Sequence, residues 1–337
     1  MARPKSRHAT VRAIAAEAGV SIATVSRVLN GQTPVAPETE ALVRRAVERL
    51  GGPPPLRRGA RDGAVYVRCP YQLTDYFGLI VTSVAETLEL HGRRLVLGAG
   101  ESGQRAHVLA GLAEDPGTAG AILILPPEPA EELRELRASG LPFVVVDPRV
   151  PLSPDIASVS AAHTGGARNV TAHLVGLGHR RIGFVGGPTE WLASQARLVG
   201  HTSALAEAGL LPDPGLRLSV EPTAEEGHRA AGRLLDREDP PTAIVCFNDK
   251  VAVGALRAAH ERGLRVPQDL SLCGFDDSDL SRAAVPALTT VRQPLEEMGR
   301  MAVSLLTRLL DGHAVDTLHV ELSTQFLPRG STARPYD

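Results

Sequence analysis

The chain has 337 residues, of which 43% are hydrophobic, and this length predicts two or three globular units because single domains cluster at roughly 100–200 residues. The formal net charge of −2 is unevenly distributed. Residues 1–61 carry eleven Arg or Lys and four Asp or Glu, a net charge of +7 that leaves −9 for the remainder. The first sixth of the chain is therefore suited to an anionic polymer, and a solubilising basic tail is the alternative.

Cysteine usage and hydropathy exclude several classes of protein. Cys69, Cys246 and Cys273 lie far apart and never form a CxxC pattern, which argues against a metal site and against a disulfide framework. Buried free thiols are expected instead. No apolar run reaches the roughly 18 residues of a membrane span, and the first ten residues lack the apolar segment of a signal peptide. We therefore expect a cytoplasmic protein with no membrane partner.

The first fifty residues have the spacing of three short helices. Thr10 can cap a first helix that Gly19 ends, and Ser21 can cap a second. A third runs from Pro37 to Leu50, with the proline in the first turn, where it is tolerated. The apolar residues that helical spacing places on the buried faces are Val11, Ile14, Ala15, Ala18, Val25, Val28, Leu29, Leu42, Val43, Ala46, Val47 and Leu50.

Two short helices joined by a tight glycine-containing turn and braced by a third predict a helix-turn-helix unit, whose second helix enters the DNA major groove. Arg27 can donate two hydrogen bonds to guanine, and Ser26 suits a phosphate or a base edge. A three-helix protein-binding module with a solvated Arg27 is the alternative. The residues predicted to contact DNA from this unit are Thr10, Ser21, Ile22, Ala23, Thr24, Ser26, Arg27 and Asn30.

The run ATVRAIAAEAGVSIATVSRVLNG, followed by ETEALVRRAVERLG, resembles the headpiece of the LacI/GalR family of bacterial transcription regulators in order and in spacing. The resemblance implies a homodimer whose two headpieces bind a pseudo-palindromic operator in double-stranded DNA. It also places Ile22, Ala23, Ser26 and Arg27 at positions that the family uses for base and phosphate contact.

Residues 51–63, GGPPPLRRGARDG, have the composition of a linker. Relatives usually carry a pattern like Y-x-P-N-x-x-A-R-x-L there. This chain departs from it, since three consecutive prolines favour an extended segment and Gly59 weakens a helix by about 1 kcal/mol relative to Ala. Leu56 remains a candidate for insertion into the minor groove, with Arg57 and Arg58 as candidates for phosphate or minor-groove contact. A plain tether is the alternative.

Beyond the linker, short apolar strands alternate with helical patterns. Strand candidates are AVYVRC, RRLVLGA, GAILIL, FVVVD, RIGFVGG, AIVCF and LSLCGF, and helix candidates include FGLIVTSVAETLELHG and ARNVTAHLVGLG. Continuous Val/Ile/Leu strands separated by helices predict βαβ units with buried parallel sheets. Because a helix ends at Gly178 and a new strand begins at Arg181, we predict an α/β core of two doubly wound lobes.

Ligands of open α/β sheets bind beyond the carboxyl ends of the strands, so side chains at those ends are the candidates for a site. The carboxylates, amide and guanidinium found there can hydrogen-bond the vicinal hydroxyls of a sugar, and the indole of Trp191 can stack on its C–H surface. Each acid or amide could instead cap the following helix. The candidates are Asp147, Trp191, Ser194, Arg197, Asn248, Asp249, Asp276 and Asp277.

The core resembles the effector-binding core of the same family, which shares the fold of type I periplasmic sugar-binding proteins. FNDKVAVGAL, VPQDLSLCGFDD and PALTTVRQPLEEMG carry the resemblance. It places Asp147, Arg197, Asn248 and Asp276 at effector-contacting positions. It also implies that the chain crosses between the lobes three times, near residues 157–162, 288–293 and 320–325.

Further residues have expected roles in or near this site. Tyr76, Phe77 and Gln293 are additional candidates for effector binding, whereas Asp249 and Asp277 are expected to act as caps or braces. At the first crossing, where relatives often show D-N-x-x-G, the chain reads SAAHTGG. His163 within it is expected to be a structural substitute, with a ligand-binding group as the alternative.

An enzyme is not expected, because the sequence contains no GxSxG, HExxH, Walker loop or GxGxxG that opens a helix. We predict a headpiece over residues 1–50, a linker over 51–63 and an effector-binding and dimerisation core over 64–337. The predicted function is a sequence-specific repressor of carbohydrate-utilisation genes, controlled by a sugar between the lobes and without a cofactor. A purine-responsive or other effector-responsive regulator, or an activator, of the same family is the alternative.

Arg27→Ala is expected to reduce the preference for the promoter of the protein's own gene over random DNA by roughly tenfold or more, since a bidentate contact to guanine contributes about 1–3 kcal/mol of discrimination. Binding titrations of full-length protein against the two DNAs measure this preference. Arg44→Ala, on the third helix, is the control and should keep the preference. An unchanged preference in Arg27→Ala would exclude Arg27 from base recognition.

Overall fold

The computed structural model describes residues 11–21, 24, 25, 28, 36–50, 63–100, 108–313 and 318–335. They fall into two compact units, one from the first 62 residues with residues 307–314, and one from residues 63–306 with 315–337. None of the helices in these ranges is long and apolar enough to cross a membrane.

The first unit contains α1 (Val11–Ala18) and α2 (Pro37–Arg49), with helical backbone also at Thr24, Val25 and Val28. Ser21 Oγ accepts a hydrogen bond of 3.1 Å from the Thr24 amide, which confirms the predicted cap. Gly19 follows α1 with a φ of +65°, a conformation that glycine adopts without strain.

The core of this unit contains Ile14, Ala15, Val25, Val43 and Ala46, which confirms the predicted buried faces at these five positions. Helical spacing predicts Leu42 on the same buried face, but its side chain is 46% exposed. It precedes Val43 by one residue, and one residue rotates a side chain by about 100° around a helix.

The first lobe of the second unit is a parallel six-stranded sheet in the order β11-β5-β4-β3-β1-β2. Its strands are β1 (Ala64–Cys69), β2 (Leu95–Ala99), β3 (Thr118–Ile124), β4 (Phe143–Val146), β5 (Ala157–Ala161) and β11 (His319–Leu322). Its helices include α3 (Asp75–Leu90), α4 (Val108–Glu114) and α5 (Ala130–Ala138). Every residue of β3 and β4 is buried, as expected for strands covered on both faces.

The second lobe is a parallel sheet in the order β7-β6-β8-β9. Its strands are β6 (Ile182–Gly186), β7 (Arg217–Ser219), β8 (Ala243–Cys246) and β9 (Ser271–Cys273). Its helices are α6 (His163–Leu177), α7 (Leu192–Glu207), α8 (Ala224–Leu235), α9 (Asp249–Glu261) and α10 (Asp279–Ala283). A 3-10 turn lies at Pro214–Leu216. Alternate strand residues face opposite layers: Ile244 packs with α8 and α9, whereas Val245 packs with α6 and α7.

The chain crosses between the lobes at three places, as the family resemblance implies. It leaves the first sheet at β5 and enters the second lobe with α6. It returns through β10 (Thr290–Arg292) into α11 (Leu295–Leu310), whose Glu296 carbonyl accepts a hydrogen bond from Ser83 of α3. It crosses a third time from β11 to β12 (Gln325–Leu327), which pairs antiparallel with β10.

All seven predicted strands are present, and the α/β prediction with two doubly wound lobes is confirmed. The other five strands, β5, β7, β10, β11 and β12, were not among the strand candidates. Two of them, ASVSA (β5) and RLS (β7), are short and contain serine, which weakens the signal of a strand. The three cysteines are free and buried, as expected. Burial raises the pKa of the Cys69 thiol to about 12 and that of Cys246 and Cys273 further above the ordinary value.

Glycines permit close contact between helix pairs in the second lobe. A Cβ atom added to Gly200 of α7 would lie 2.8 Å from the backbone nitrogen of Arg168 in α6, and closer still to the Thr164 carbonyl oxygen. Gly254 of α9 meets the backbone of α8 at Ala224 in the same way. Both helix pairs therefore pack backbone against backbone.

Gly200→Ala is expected to lower the free energy of unfolding by about 2 kcal/mol, because the added methyl group meets backbone atoms that cannot move independently. Gly176→Ala in α6 is the matched control, since a Cβ there meets nothing within 4 Å; it should be neutral or stabilise by about 0.5–1 kcal/mol. Denaturant unfolding of both variants measures the difference. Equal stability of the two variants would contradict the close packing.

Candidate ligand-binding cleft

A cavity of about 380 Å³, called the cleft below, lies between the two lobes beyond the carboxyl ends of both sheets. This volume is within the range of small-molecule sites, roughly 300–1,000 Å³. The residues that line it are Tyr71, Gln72, Thr74, Tyr76, Phe77, Leu125, Asp147, Arg149, Trp191, Ala193, Arg197, Glu221, Pro222, Thr223, Phe247, Asn248, Lys250 and Asp276.

The cleft contains the predicted residues Tyr76, Phe77, Asp147, Trp191, Arg197, Asn248 and Asp276. Ser194 and Gln293 do not line it. Ser194 follows Ala193 on α7, and the helix turns it by about 100° away from the face that reaches the cleft. It borders a separate cavity of about 30 Å³ beside Gly187 and Leu218. Ser194 thus lies outside the cleft in which the other predicted residues converge.

Asp147, directly after β4, is buried and has a φ of +54°, which is uncommon for a residue other than glycine. Its Oδ2 accepts a hydrogen bond of 2.7 Å from the Tyr76 hydroxyl, and its Oδ1 lies 2.7 Å from His163 Nε2. Burial acts to raise the pKa of this carboxyl, but the adjacent His163 and the hydrogen bond from Tyr76 outweigh it and hold the pKa below its usual range.

His163, the first residue of α6, is 6% exposed and bridges two site residues without lining the cleft. Its Nδ1 lies 3.3 Å from Nη2 of Arg197. Because a guanidinium only donates hydrogen bonds, Nδ1 acts as the acceptor and Nε2 donates to Asp147. The structural role expected for His163 is confirmed.

Arg197 of α7 is 4% exposed. Its Nη1 donates to the Phe247 carbonyl at 2.5 Å, and its guanidinium lies 3.8 Å and 4.4 Å from the ring centres of Phe275 and Phe247. Its Nη2 is 3.8 Å from Asp276 Oδ1. Burial lowers the pKa of Arg197, and the carboxylates of Asp276 and Asp147 act in the opposite direction. The rings and acids thus compensate for the desolvated cation.

Asp276, after β9, also has a left-handed backbone, with a φ of +108°. Gln293 Nε2 donates a hydrogen bond of 2.7 Å to its Oδ1. Gln293, a predicted ligand-binding residue, is buried and does not line the cleft; its side chain contacts the carboxylate of Asp276. Burial raises the pKa of Asp276 above the ordinary value, despite the opposing effect of Arg197.

Asn248 combines the two roles that the sequence left open. Its Oδ1 accepts a hydrogen bond of 3.0 Å from the Val251 amide and so caps α9, while the residue also lines the cleft. Asp249 is a brace, as expected: its Oδ1 accepts from the Thr290 hydroxyl at 2.6 Å and its Oδ2 from the Ser278 amide at 2.7 Å.

Asp277 is the second brace, and its side chain is 2% exposed. It accepts a hydrogen bond of 2.7 Å from Arg292 Nε and another from Arg329, and Arg282 lies 3.3 Å away. Burial acts to raise the pKa of this carboxyl, but the two hydrogen-bonded arginines outweigh it and hold the pKa below its usual range. Asp277 thus joins the loop after β9 to β10 and to the last described segment.

Arg149 is a site residue that sequence reasoning missed. Its guanidinium lies 4.2 Å from the Trp191 ring centre and 5.1 Å from that of Tyr71, and it donates a hydrogen bond to the Tyr71 hydroxyl. One face of the Trp191 indole is therefore covered by a cation. Tyr71 in turn stacks on Phe77 with 4.6 Å between ring centres. The sequence analysis also missed four residues that line the cleft, Tyr71, Glu221, Phe247 and Lys250. The available signal for Phe247 was its position next to the predicted Asn248, and for Lys250 its position next to Asp249.

Of the residues predicted to contact DNA, the structure describes Ser21 and Thr24. Ser21 is exposed and its hydroxyl lies 2.8 Å from that of Thr24, so both take part in the cap of the second helix. The others lie outside the described residues: Thr10, Ile22, Ala23, Ser26, Arg27, Asn30, Leu56, Arg57 and Arg58. Most of the linker over residues 51–63 also lies outside them.

Residues 10–54 match the bacterial regulatory proteins of the lacI family, and residues 171–332 match the periplasmic binding protein-like domain. The fold and the cleft thus define a class of proteins in which a DNA-binding headpiece is attached to a two-lobed ligand-binding core. The HTH-type transcriptional regulator MalR of Streptomyces coelicolor (strain ATCC BAA-471 / A3(2) / M145) is 36% identical over 338 residues, covering 95% of both chains. This chain belongs to the LacI family of transcription regulators.

Two solved structures extend the similarity. The transcriptional regulator CelR in complex with cellobiose is 31% identical with a TM-score of 0.74, and the match covers 98% of this chain and 100% of that one. The lac repressor dimer bound to operator and the anti-inducer ONPF is 26% identical with a TM-score of 0.70, covering 97% and 100%. The likeness thus spans both units of this chain.

Asp277→Asn is expected to lower the free energy of unfolding at neutral pH by about 2 kcal/mol, because it removes the buried charge that pairs with three arginines. Because folding lowers the pKa of Asp277, its ionised carboxylate stabilises the folded state at every pH above the pKa of the unfolded chain. This contribution to stability is lost progressively as the pH falls below about 4. The difference from wild type should therefore shrink in acid. Asp279→Asn, whose side chain is 79% exposed, is the control and should change stability by less than about 0.5 kcal/mol. Denaturant unfolding at pH 7 and pH 3.5 measures both effects.

Proposed function

We propose that this protein is a homodimeric transcriptional repressor of carbohydrate-utilisation genes, which releases or retains its operator according to a sugar bound in the cleft. The observation that carries this proposal is the convergence of Asp147, Arg197, Asn248 and Asp276 on one cavity. Carboxylates accept and guanidinium and amide groups donate, and a sugar hydroxyl does both. The aromatic walls formed by Tyr71, Phe77, Trp191 and Phe247 suit the C–H faces of a pyranose ring.

Two buried donors favour a ligand rich in acceptor oxygens. The Nε–H groups of Arg149 and Arg197 have no hydrogen-bond partner within the described part of the chain, although both side chains line the cleft. A buried unpaired donor is costly, so a ligand oxygen at either position gains affinity. The sugar complex of CelR, a relative that matches over nearly the full chain, supports the same class of ligand.

The remaining assignments follow from this function. We place the headpiece at residues 1–50, a linker at 51–63 and the effector-binding and dimerisation core at 64–337. Arg27 with its neighbours reads the operator, and Leu56, Arg57 and Arg58 contact it from the linker. A repressor of this kind works in the cytoplasm and binds its ligand without chemical change. The dimer and operator of the lac repressor structure support the assembly.

A thermal-shift screen of the full-length protein tests the ligand class with monosaccharides, disaccharides, sugar phosphates and purines. A ligand at 100 times its dissociation constant stabilises by about 2.7 kcal/mol, which corresponds to a shift of roughly 5 °C or more. Hits are then tested for their effect on binding to the promoter of the protein's own gene. A sugar that shifts both measurements supports the proposal, and a response to purines alone would overturn the sugar assignment.

Asp276→Asn and Arg197→Lys are expected to weaken binding of that sugar by at least tenfold while operator binding stays within twofold of wild type. Each substitution preserves size but removes one charge-assisted contact or one planar donor pair. Asp279→Asn, at the first residue of α10 and outside the cleft, is the matched control and should respond to the sugar normally. Normal sugar responses in both cleft variants would contradict the assignment.

A further inference from the structure

Away from the three crossings, the lobes also contact each other through Arg149 and Trp191. Arg149 follows β4 of the first lobe, and Trp191 directly precedes α7 of the second. Both side chains are half-buried and line the cleft, so they lie where the cleft approaches solvent. This contact is distinct from the inner group of Asp147, His163, Arg197 and Asp276.

The guanidinium of Arg149 is held from two sides. Trp191 contributes its ring at 4.2 Å and Tyr71 its ring at 5.1 Å, and the Tyr71 hydroxyl accepts a hydrogen bond from Arg149 Nη2. Tyr71 belongs to the first lobe and is itself stacked on Phe77. The stacking of Arg149 on Trp191 therefore joins the first lobe to the start of α7 in the second lobe.

A backbone hydrogen bond reinforces the same junction. The Leu192 amide donates to the Arg149 carbonyl at 2.9 Å. Leu192 is the first residue of α7, and the first amides of a helix have no partner within the helix. The protection of this amide from solvent thus depends on the contact between the lobes.

We propose that Arg149, Trp191 and the Leu192 amide form a clasp that holds the two lobes closed over the cleft, with Arg149 as its positioning residue. The clasp gates entry and release of whatever the cleft binds. When it opens, the Leu192 amide loses its acceptor and the covered face of Trp191 becomes accessible. The clasp does not depend on the ligand being a sugar, so failure of the proposed function would leave it standing.

Hydrogen exchange of the full-length protein without ligand tests this proposal. In Arg149→Ala, the Leu192 amide should exchange at least fivefold faster than in wild type, although the carbonyl that it bonds remains. The Val251 amide, held by Asn248 within the second lobe, should keep its rate and so distinguishes opening from general destabilisation. Arg137→Ala, an arginine of the first lobe that does not line the cleft, is the control variant and should leave both rates unchanged.

A second variant and a second probe make the test independent of one substitution. Trp191→Leu removes the ring from the other side and should accelerate exchange of Leu192 to a similar extent. Trp191 is the only tryptophan of the chain, so acrylamide quenching of its fluorescence reports its exposure, and the quenching constant should at least double in Arg149→Ala. Leu192 exchange within twofold of wild type in both Arg149→Ala and Trp191→Leu would overturn the clasp, whatever the quenching result.

Discussion

The site is organised around a single buried cation, the guanidinium of Arg197. A desolvated charge is tolerated only where opposite charge, hydrogen-bond acceptors and polarisable surface surround it. Here the Phe247 carbonyl, the Asp276 carboxylate and two phenylalanine rings provide them. Through His163 the same guanidinium is linked to Asp147 of the first lobe. Removing the charge would deprive Asp147 of one lobe and Asp276 of the other of the cation that interacts with both carboxylates.

The imidazole of His163 stands where the pattern D-N-x-x-G has its Asn, and Ala162 stands where the pattern has its Asp. The imidazole accepts from Arg197 with Nδ1 and donates to Asp147 with Nε2, so it satisfies both neighbours. At the first crossing, where relatives often show D-N-x-x-G, this chain thus joins the two lobes through an imidazole.

Much of the fold and part of the site could be predicted from the sequence. Buried parallel strands give continuous apolar runs, which can be recognised in the sequence. Asp147 and Asp276 come after such runs, so the ends of the strands predicted that these acids lie in the cleft. The place of Arg149 in the cleft could not be predicted, because its contacts with Tyr71 and Trp191 join segments that are far apart in the chain. Ser194 was misplaced because a few residues of sequence do not determine which face of a helix meets a cavity. The contacts of Gln293 and His163 likewise depend on tertiary structure.

The burial of the three cysteines determines how readily their thiols react with oxidants. The thiolate is the form that reacts with peroxide or exchanges with disulfides. With its pKa raised to about 12, the Cys69 thiol is protonated at pH 7. Cys246 and Cys273, whose thiols ionise even less readily, lie in the sheet of the second lobe. Burial thus leaves all three thiols largely protonated at neutral pH, which slows their reaction with oxidants.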